Sequence, residues 1–450
     1  MTISRREFVR LSCCSAAVGM ASNFSKFGLI NAMAAPATDY KALVCIFMFG
    51  GNDANNMVVP LNSTAYSSYA SIRGGLALPQ ASLLPVMPPS VGAPFGLHPN
   101  LPELQTLFNQ KKLAMLANVG VLVRPVNRAQ YLGRSAEVPS HLFSHADQQA
   151  QWQTSIPVGL SQTGWAGRTA DKIEAIYGKQ PFPTVVSVAG TNIFCDGVDT
   201  RPATVSPGSS QALSGFDGSA ESNARFSALQ QLLTFDSGIS LIQAASGTTT
   251  NALKNGEILA TALASVAALA TPFPTTDLGK QLAQVAKLIQ VRAALGLKRQ
   301  IFFCSLQGFD THSDQLNHQQ NLYSTLAPAM AAFDNATIEM GVEAQVSSFT
   351  LSDFGRTYLP ASGGGTDHAW GSHQLIMGGA VQGGDFYGTF PTLALAGPDD
   401  TGDEGRWIPT TSLDQYAATL ASWFGVSSAD LPSVFPNLGN FANPTLRFLG

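Results

Sequence analysis

ALVCIFMF, residues 42–49, is an unbroken apolar run that ends at the glycine pair Gly50-Gly51. A strand that is apolar at every position is typical of the centre of a parallel sheet whose two faces are both covered. Polar residues begin directly after the run, with Asn52 and Asp53. The stretch therefore predicts a central parallel strand with polar groups at its carboxyl end.

Outward from this run, strand-like and helix-like segments alternate along the chain. This alternation predicts an α/β fold with a doubly wound, mainly parallel sheet sandwiched by helices. A stretch rich in Ser, Thr, Ala and Gly, residues 181–274, interrupts the rhythm and predicts an insertion or cap. The further predicted strands are 112–119, 184–188, 301–306 and 346–351, and the predicted helices are 101–107, 140–154, 258–269, 278–289 and 315–340.

The first residues have the features of an export signal. Ser4-Arg5-Arg6-Glu7-Phe8 matches the twin-arginine pattern, a mildly apolar stretch follows over 11–20, and Ala32-Met33-Ala34 is a small-x-small cleavage pattern. We therefore predict a twin-arginine signal peptide over 1–35, with the twin-arginine translocase as the partner during export. The remaining residues, 36–450, are expected to form one domain in the periplasm or outside the cell.

Composition excludes several functional classes. The chain is 45% apolar and 12% charged, with a net charge of -4 and no cluster of Lys or Arg, which argues against binding to nucleic acid or to an anionic membrane surface. After the signal no apolar stretch approaches the ~18 residues that a membrane span needs. The remaining cysteines are Cys45, Cys195 and Cys304, and the first and last lie in strand-like runs that favour buried thiols.

Acidic and imidazole residues follow the predicted strands. In a parallel sheet the carboxyl ends meet at one edge, where ligands bind, so we expect these side chains to converge. Asp and His supply ligands that zinc and manganese prefer, and hydrolysis of a phosphate or sulfate ester needs a cation to neutralise developing charge. The predicted metal ligands are Asp53, Asp310, His312, Asp353, His368 and His373.

The predicted catalytic residues include two serines that are one helical turn apart and each followed by histidine, Ser140 and Ser144. A serine near a helix N-terminus can be stabilised as an alkoxide by free backbone N–H groups and a nearby metal, although Ser140 equally suits a helix N-cap. His145, which directly follows Ser144, is a further predicted catalytic residue. Arg168 and Arg356 are candidates to hold an oxyanion bidentately, with a structural salt bridge as the alternative.

The residues resemble twin-arginine-exported bacterial proteins of the domain-of-unknown-function family 1501, in the alkaline phosphatase and sulfatase superfamily. The resemblance implies an aspartate after the first strand, a serine or threonine nucleophile at a helix start, and Asp/His ligands for one or two divalent ions. The family pattern favours Ser144 as nucleophile, whereas helix-start geometry favours Ser140. The resemblance rests on Gly50–Asp53 with Asn56 and Pro60, Leu97–Pro99, Ser144-His145 with Gln149 and Trp152, Gly164–Arg168, Asp310–His312, Asp353–Thr357, Gly365–Gly371 and Val434–Leu438.

Two departures from the superfamily pattern bear on the site. Phosphatases of the superfamily have an Asp-His pair where this chain has Asp353-Phe354, and only one residue separates Asp310 from His312 where many members have three. An aromatic ring cannot coordinate a metal. A site with one metal ion, or with none, is therefore an alternative to a two-metal site. The ion is expected to be zinc, manganese or calcium.

Two functions from different classes follow. The leading hypothesis is a metal-dependent hydrolase of phosphate or sulfate esters, acting on a small anionic ester or glycan. The alternative, favoured by Phe354, is a non-catalytic exported binding or assembly protein that kept the fold and its pocket. A redox enzyme has little support, because the sequence has no dinucleotide glycine fingerprint, haem motif or iron–sulfur spacing.

Overall fold

The computed structural model describes residues 39–208, 215–236 and 238–450. The predicted signal peptide, residues 1–35, lies outside the described residues. Among the residues that are described, no helix combines the length and the apolar character needed to cross a membrane.

Strands and helices alternate along the described chain. The strands are β1 (Lys41–Phe49), β2 (Val58–Pro60), β3 (Leu84–Val86), β4 (Phe95–Leu97), β5 (Leu113–Gly120), β6 (Val185–Ser187), β7 (Ala203–Thr204), β8 (Arg299–Gln307), β9 (Val346–Ser352), β10 (Ser372–Met377), β11 (Phe386–Tyr387) and β12 (Thr411–Ser412). The α-helices are α1 (Ala54–Met57), α2 (Ser63–Arg73), α3 (Pro102–Asn109), α4 (Arg128–Leu132), α5 (His145–Thr154), α6 (Trp165–Tyr177), α7 (Ala220–Thr234), α8 (Ser240–Ala264), α9 (Asp277–Gln290), α10 (Gln315–Glu339), α11 (Leu413–Phe424) and α12 (Leu431–Val434).

The main sheet is mostly parallel, as predicted. Its strand order is β11-β5-β10-β9-β1-β8-β6-β7, with β12 also paired to β5. β1 lies at the centre and pairs in parallel with β8 on one side and β9 on the other. β10 runs antiparallel to both of its neighbours, so the chain turns back at the carboxyl edge between β9 and β10. A small antiparallel sheet is formed by β2, β4 and β3.

Helices cover both faces of the sheet, which confirms the doubly wound α/β prediction. Along β1, Val44 and Ile46 pack into the cluster that contains helices α3, α9 and α10. Cys45 and Phe47 point to the opposite face, where α5, α6 and α11 pack. Because both sets of alternating side chains are buried, every position of the strand is apolar. Cys45, Cys195 and Cys304 are all buried free thiols.

The segment predicted as an insertion, 181–274, divides into two parts in the structure. Its first part contributes β6 and β7 to the main sheet, next to β8. Its second part contains α7 and α8, which pack against each other and are mostly exposed. The buried residues of these two helices are Ser222 in α7 and Leu259 and Ala262 near the end of α8.

Most predicted elements agree with the structure within two residues, and two helices differ. The helix predicted from Ser140 begins at His145 instead, because His141 and Phe143 adopt left-handed backbone conformations with φ of 49° and 73° that a helix cannot include. The helix predicted over 258–269 spans Ser240–Ala264. The repeated Ser, Gly and Thr residues over 246–250 concealed its first half, because these residues have low helix propensity.

Candidate metal centre

The carboxyl edge of the sheet brings four chain segments together. Asp310 and His312 follow β8, and Asp353 follows β9. His368 lies in the connection between β9 and the antiparallel β10, which begins at the same edge. His145 is the first residue of α5 and reaches this edge from the helix layer.

Three imidazoles converge on one carboxylate oxygen. The Oδ1 atom of Asp310 lies 3.1 Å from Nε2 of His312, 3.3 Å from Nε2 of His368 and 3.4 Å from Nε2 of His145. The Nε2 atoms of His312 and His368 are 2.9 Å apart. Ligands around a tetrahedral zinc ion at about 2.1 Å are separated by about 3.4 Å. The observed spacings are therefore close to those that one coordinated ion requires.

Each of these imidazoles is oriented through its other nitrogen. Nδ1 of His145 lies 2.7 Å from Oδ2 of Asp353, and Nδ1 of His312 lies 3.1 Å from Oδ1 of Asp367. Nδ1 of His368 donates to the backbone carbonyl of Phe143 at 2.7 Å. Acceptors at Nδ1 select the tautomer that carries the proton there, so in the neutral imidazoles the Nε2 lone pairs point towards Asp310.

The group behind His145 is fully buried. Asp353 is 0% exposed, and its carboxylate accepts from the Gly50 N–H at 3.1 Å and from Nε2 of Gln149 at 2.7 Å. Its hydrogen bond with His145 raises the pKa of that imidazole, against the opposing effect of burial. By contrast, burial lowers the pKa of His368 and so favours its neutral, ligating form.

The Asp310 carboxylate faces solvent and is 46% exposed. Burial by itself raises its pKa, but the hydrogen bond and charge of Arg356, together with the neighbouring imidazoles, bring the pKa below its ordinary value. Asp310 is thus kept ionised in front of the three imidazoles. Ligand atoms of His145, Asp310 and His368 all lie within 4.8 Å of one another, as a shared ion requires.

Arg356 joins the loops that carry the cluster. Its guanidinium is buried and donates to the carbonyls of Gly50 at 2.6 Å, Gly51 at 3.0 Å and Thr366 at 2.8 Å, as well as to Asp310. The glycine pair allows this close approach: Gly50 and Gly51 have φ of 114° and 87°. A Cβ atom at Gly50 would collide with the backbone of Asp310.

Phe354, expected to replace a metal ligand, forms an apolar floor beneath the cluster. Its buried ring lies 4.8 Å from the ring of His145 and 4.5 Å from the ring of His368, measured between centroids. A Cβ atom at Gly51 would overlap the same ring. The ring therefore holds two imidazoles in place through packing.

Two predicted ligands are not brought into the cluster. The Asp53 carboxylate is buried and bound by the Arg73 guanidinium and the Gln315 amide. His373 is also buried: its Nδ1 accepts the Asn118 N–H at 3.0 Å. Burial lowers the pKa of His373 to about 3, so this imidazole is neutral. Both residues have their hydrogen-bond partners within the protein fold.

The two predicted serines precede helix α5, and Ser144 is next to His145 in the chain. Ser144 is the N-cap residue of α5, but its side chain accepts no hydrogen bond from a backbone N–H group of the helix, and its hydroxyl donates to Oδ2 of Asp147 at 2.6 Å. The backbone of Ser140 is fixed by Pro157 and by the side chain of Gln151. Ser140 precedes the left-handed residues and is not the N-cap of this helix.

Arg168 is held by hydrogen bonds to backbone carbonyls and has a structural role. Its guanidinium donates to the carbonyls of Thr154, Thr163 and Val434 at 2.5–3.0 Å. These contacts tie the end of α5 to the neighbouring loops. No contact connects Arg168 with the histidine cluster in the described part of the chain.

Sequence reasoning did not assign roles to three residues that contact predicted ligands: Asp367 contacts His312, Gln149 contacts Asp353 and Arg73 contacts Asp53. Asp367 directly precedes His368, and Gln149 lies one helical turn after His145, so both positions offered a local signal. Arg73 offered none, because its contact with Asp53 spans 20 residues and depends on how α2 packs.

The donor set of imidazole nitrogens and one carboxylate oxygen suits zinc or manganese. It suits calcium poorly, because calcium prefers six to eight oxygen ligands. The cluster is open to solvent on one side, with His312 45% exposed. An ion held here can therefore be reached by an exogenous ligand.

Several solved structures have similar folds. The lipoteichoic acid synthase LtaP from Listeria monocytogenes is 7% identical, with a TM-score of 0.36 over 90% of this chain and 79% of that chain. A protein in the alkaline phosphatase superfamily from Vibrio parahaemolyticus is 12% identical, with a TM-score of 0.32 over 86% and 67%. The PsFucS1 sulfatase from Pseudoalteromonas sp. is 10% identical, with a TM-score of 0.31 over 80% and 66%. These values carry no inference about the activity of this chain.

Comparison with curated proteins gives no match. A family model, described as a protein of unknown function (DUF1501), matches residues 40–400. The match covers β1 to β11 and includes the histidine cluster with its supporting loops. The chain therefore belongs to the DUF1501 family.

Proposed function

We propose that this chain is an exported hydrolase of phosphate or sulfate esters, and that it works with one divalent ion. The observation that carries the proposal is the convergence of three Nε2 atoms on one oxygen of Asp310. We assign the ion to His145, Asp310, His312 and His368. When bound, the ion would neutralise negative charge that develops on the ester oxygens.

The residues around these ligands have positioning roles in the proposal. Asp353, Asp367 and the Phe143 carbonyl orient the three imidazoles, and Arg356 fixes Asp310. Asp353, which the sequence predicts as a metal ligand, therefore has a different role in the proposal: it orients His145 and does not bind the ion. Asp53 and His373 have no part in this ligand set, because their hydrogen bonds are made elsewhere.

Ser144 is the proposed attacking group. Oδ2 of Asp147, 2.6 Å from the serine oxygen, is placed to accept the hydroxyl proton. Ser144 directly precedes His145 in the chain, so the serine stands next to an assigned ligand while its hydroxyl keeps its contact with Asp147. The serine oxygen then forms the new bond to phosphorus or sulfur, the ester oxygen leaves, and water releases the product in a second step.

Metal content and turnover measured on the same protein test the hydrolase proposal. Protein purified without chelators is loaded with zinc or manganese, and hydrolysis of aryl phosphates and aryl sulfates is measured. His312→Ala should lose most of the bound metal and the activity, because it removes a ligand whose side chain is half exposed and contributes little to folding. His318→Ala, at an exposed position on α10, is the matched control. Equal metal content and rates in both variants would overturn the proposal.

The nucleophile is tested separately. Ser144→Ala should lower kcat by about 10³-fold or more while metal content is retained, because loss of a covalent nucleophile removes the reaction route. Ser140→Ala should retain near wild-type kcat, because the hydrogen bonds of Ser140 are made by its backbone N–H and carbonyl groups. If Ser144→Ala keeps full activity, Ser144 does not attack the ester.

Export is also part of the proposal. The twin-arginine pattern at Arg5 and Arg6 motivates it. We propose the periplasm or the cell exterior as the location, and the twin-arginine translocase as the partner in export. Replacing both arginines with lysine should retain the full-length chain inside the cell, measured by cell fractionation. Unchanged export would reject this route.

A second function is favoured by two observations. Phe354 occupies a position where the family resemblance implies a ligand, and Asp53 is neutralised by Arg73. Both suit an exported protein that binds an anionic ligand, such as a glycan, without turnover. Metal-loaded wild-type protein that binds such a ligand but hydrolyses neither class of ester would favour this alternative.

A further inference from the structure

The arginines predicted to hold an oxyanion have their donors occupied. Arg356 donates to three carbonyls and to Asp310, and Arg168 donates to three other carbonyls. Arg73 is fully buried against Asp53. A negatively charged ester that reaches the histidine cluster therefore needs a different cationic side chain.

Arg406 lies at the rim of the cluster and is 29% exposed. Its Nε donates to the backbone carbonyl of His368 at 2.8 Å. Its guanidinium carbon lies 5.3 Å from the ring centroid of Phe143, the residue whose carbonyl orients His368. Arg406 is thus attached on two sides to the segments that position one candidate ligand.

The remaining donors of Arg406 are accessible or weakly held. Nη1 pairs with Glu404, whose side chain is 41% exposed. Across residues 39–208, 215–236 and 238–450, no protein acceptor binds Nη2. This ion pair is partly exposed, although Oε2 of Glu404 is itself buried. A partly exposed ion pair contributes modest net free energy, so an incoming anion can replace Glu404 at Nη1 and bind Nη2 at the same time. That geometry matches the bidentate recognition of a phosphate or sulfate group.

We propose that Arg406 recognises the non-bridging oxygens of a phosphate or sulfate ester at the histidine cluster, and that Glu404 occupies the guanidinium while the site is free. This proposal rests on the proposed function, because it places the anionic group at that site. Arg406 is then a specificity residue that selects for anionic esters. Glu404 tunes the affinity, since its carboxylate competes with the ligand.

Binding of inorganic phosphate, measured by calorimetry on the metal-loaded chain, tests the proposal without turnover. Arg406→Ala should weaken phosphate binding about tenfold to a hundredfold, since it removes charge-assisted hydrogen bonds. Arg406→Lys should recover part of the loss, because it restores charge without the two-donor geometry. Glu404→Gln should tighten binding about two- to fivefold by removing the competitor.

A structural role of Arg406 predicts a different result. Arg128 holds the same loop through the carbonyls of Asp400 and Gly402 and makes no contact with His368. Arg128→Ala is therefore the control for loop distortion, and metal content is measured in every variant. Equal weakening in both alanine variants, or loss of metal in Arg406→Ala, would assign Arg406 a merely structural role and overturn the proposal.

Steady-state kinetics separate this proposal from the proposed hydrolase function. If the wild type hydrolyses aryl phosphates, Arg406→Ala should raise KM more than it lowers kcat. Hydrolysis with an unchanged KM in Arg406→Ala overturns the role of Arg406 and leaves the hydrolase function standing. Phosphate binding that depends on Arg406 without any hydrolysis leaves this proposal standing and removes the hydrolase function. Absence of phosphate and sulfate binding in the wild type overturns it.

Discussion

Asp53 and Asp310 follow neighbouring strands at the same edge of the sheet, yet their surroundings differ. Asp53 is buried and its carboxylate is neutralised by the buried guanidinium of Arg73. Asp310 is half exposed and faces three imidazole nitrogens. The buried Arg356 guanidinium donates to the same Oδ1 atom of Asp310 and also to the Gly50 carbonyl.

The difference shows that the position of a carboxylate at a strand end does not decide its role. A buried guanidinium contacts each carboxylate, Arg73 at Asp53 and Arg356 at Asp310. Asp310 differs because it is half exposed and also faces imidazoles, which can present lone pairs to an ion when neutral. Exposure and the additional imidazoles therefore separate a structural ion pair from a candidate metal site.

The largest expected effect is on stability at the buried pair. Arg73→Met should lower the free energy of unfolding by about 3–5 kcal/mol, because it leaves the Asp53 charge buried without its partner. Urea unfolding of the metal-free protein measures this. The double variant Arg73→Met with Asp53→Asn should recover much of the loss, because both charges are then removed. A single-variant loss below about 1 kcal/mol would contradict the structural assignment of this pair.

Metal binding gives the next effect and addresses the comparison directly. Asp310→Asn should weaken zinc binding by about a hundredfold or more, because it alters a direct ligand. Loss of a residue that only orients a ligand weakens metal affinity by about 10- to 100-fold. Asp53→Asn should leave zinc affinity nearly unchanged, because Arg73 occupies that carboxylate. Competition with a chromogenic chelator measures both affinities. Similar losses in the two variants would make the contrast between the two carboxylates invalid.

A smaller effect is expected from the outer partner of His312. Asp367→Asn should weaken metal binding about 10- to 100-fold, because the carboxylate that orients the imidazole through Nδ1 is lost. The side chain is 49% exposed, so folding should be little affected. The same chelator competition gives the affinity, with thermal unfolding as the folding control. An unchanged affinity would remove Asp367 from the site.

The smallest effect concerns pH in the metal-free protein. The hydrogen bond with Asp353 raises the pKa of His145 above the ordinary histidine value of about 6.5. The folded state therefore holds this proton more tightly than the unfolded state. The resulting stabilisation is fully present below pH 6.5 and is lost as pH rises through the folded pKa.

Urea unfolding at several pH values measures the contribution of His145. His145→Gln should show a weaker decline in stability above pH 6.5 than the wild type. The pKa of His368 is lowered by burial, so His368 makes stability fall as the pH decreases below 6.5. Both proteins contain His368, and the difference between their pH profiles therefore gives the contribution of His145. Identical pH profiles in the two proteins would show that Asp353 does not hold this proton.

The main strands and several helices could be predicted from local sequence. An apolar run at 42–49 is a strong signal for a central strand, and the structure extends it by a single residue. Strand ends then indicated which loops share an edge, and Asp310, His312 and His368 are in contact there. These features depend on local pattern and parallel topology, which the sequence contains.

Other features depend on long-range packing and could not be predicted. The partner of Asp53 comes from α2, and no local pattern marks Arg73 as buried. The start of α5 was misplaced because His141 and Phe143 adopt left-handed conformations without the glycine that usually signals them. His373 lies within β10, where strand pairing and burial direct it to Asn118.

Arg356 connects the loops after β1, β8 and β9 through protein groups alone. These hydrogen bonds hold the loops together without an ion. Small metal-dependent domains differ, because they fold only when the metal binds. Removal of the ion by a chelator should leave the polypeptide folded and ready to be refilled. At the proposed metal site, such an arrangement would allow one ion to be exchanged for another during the life of the protein.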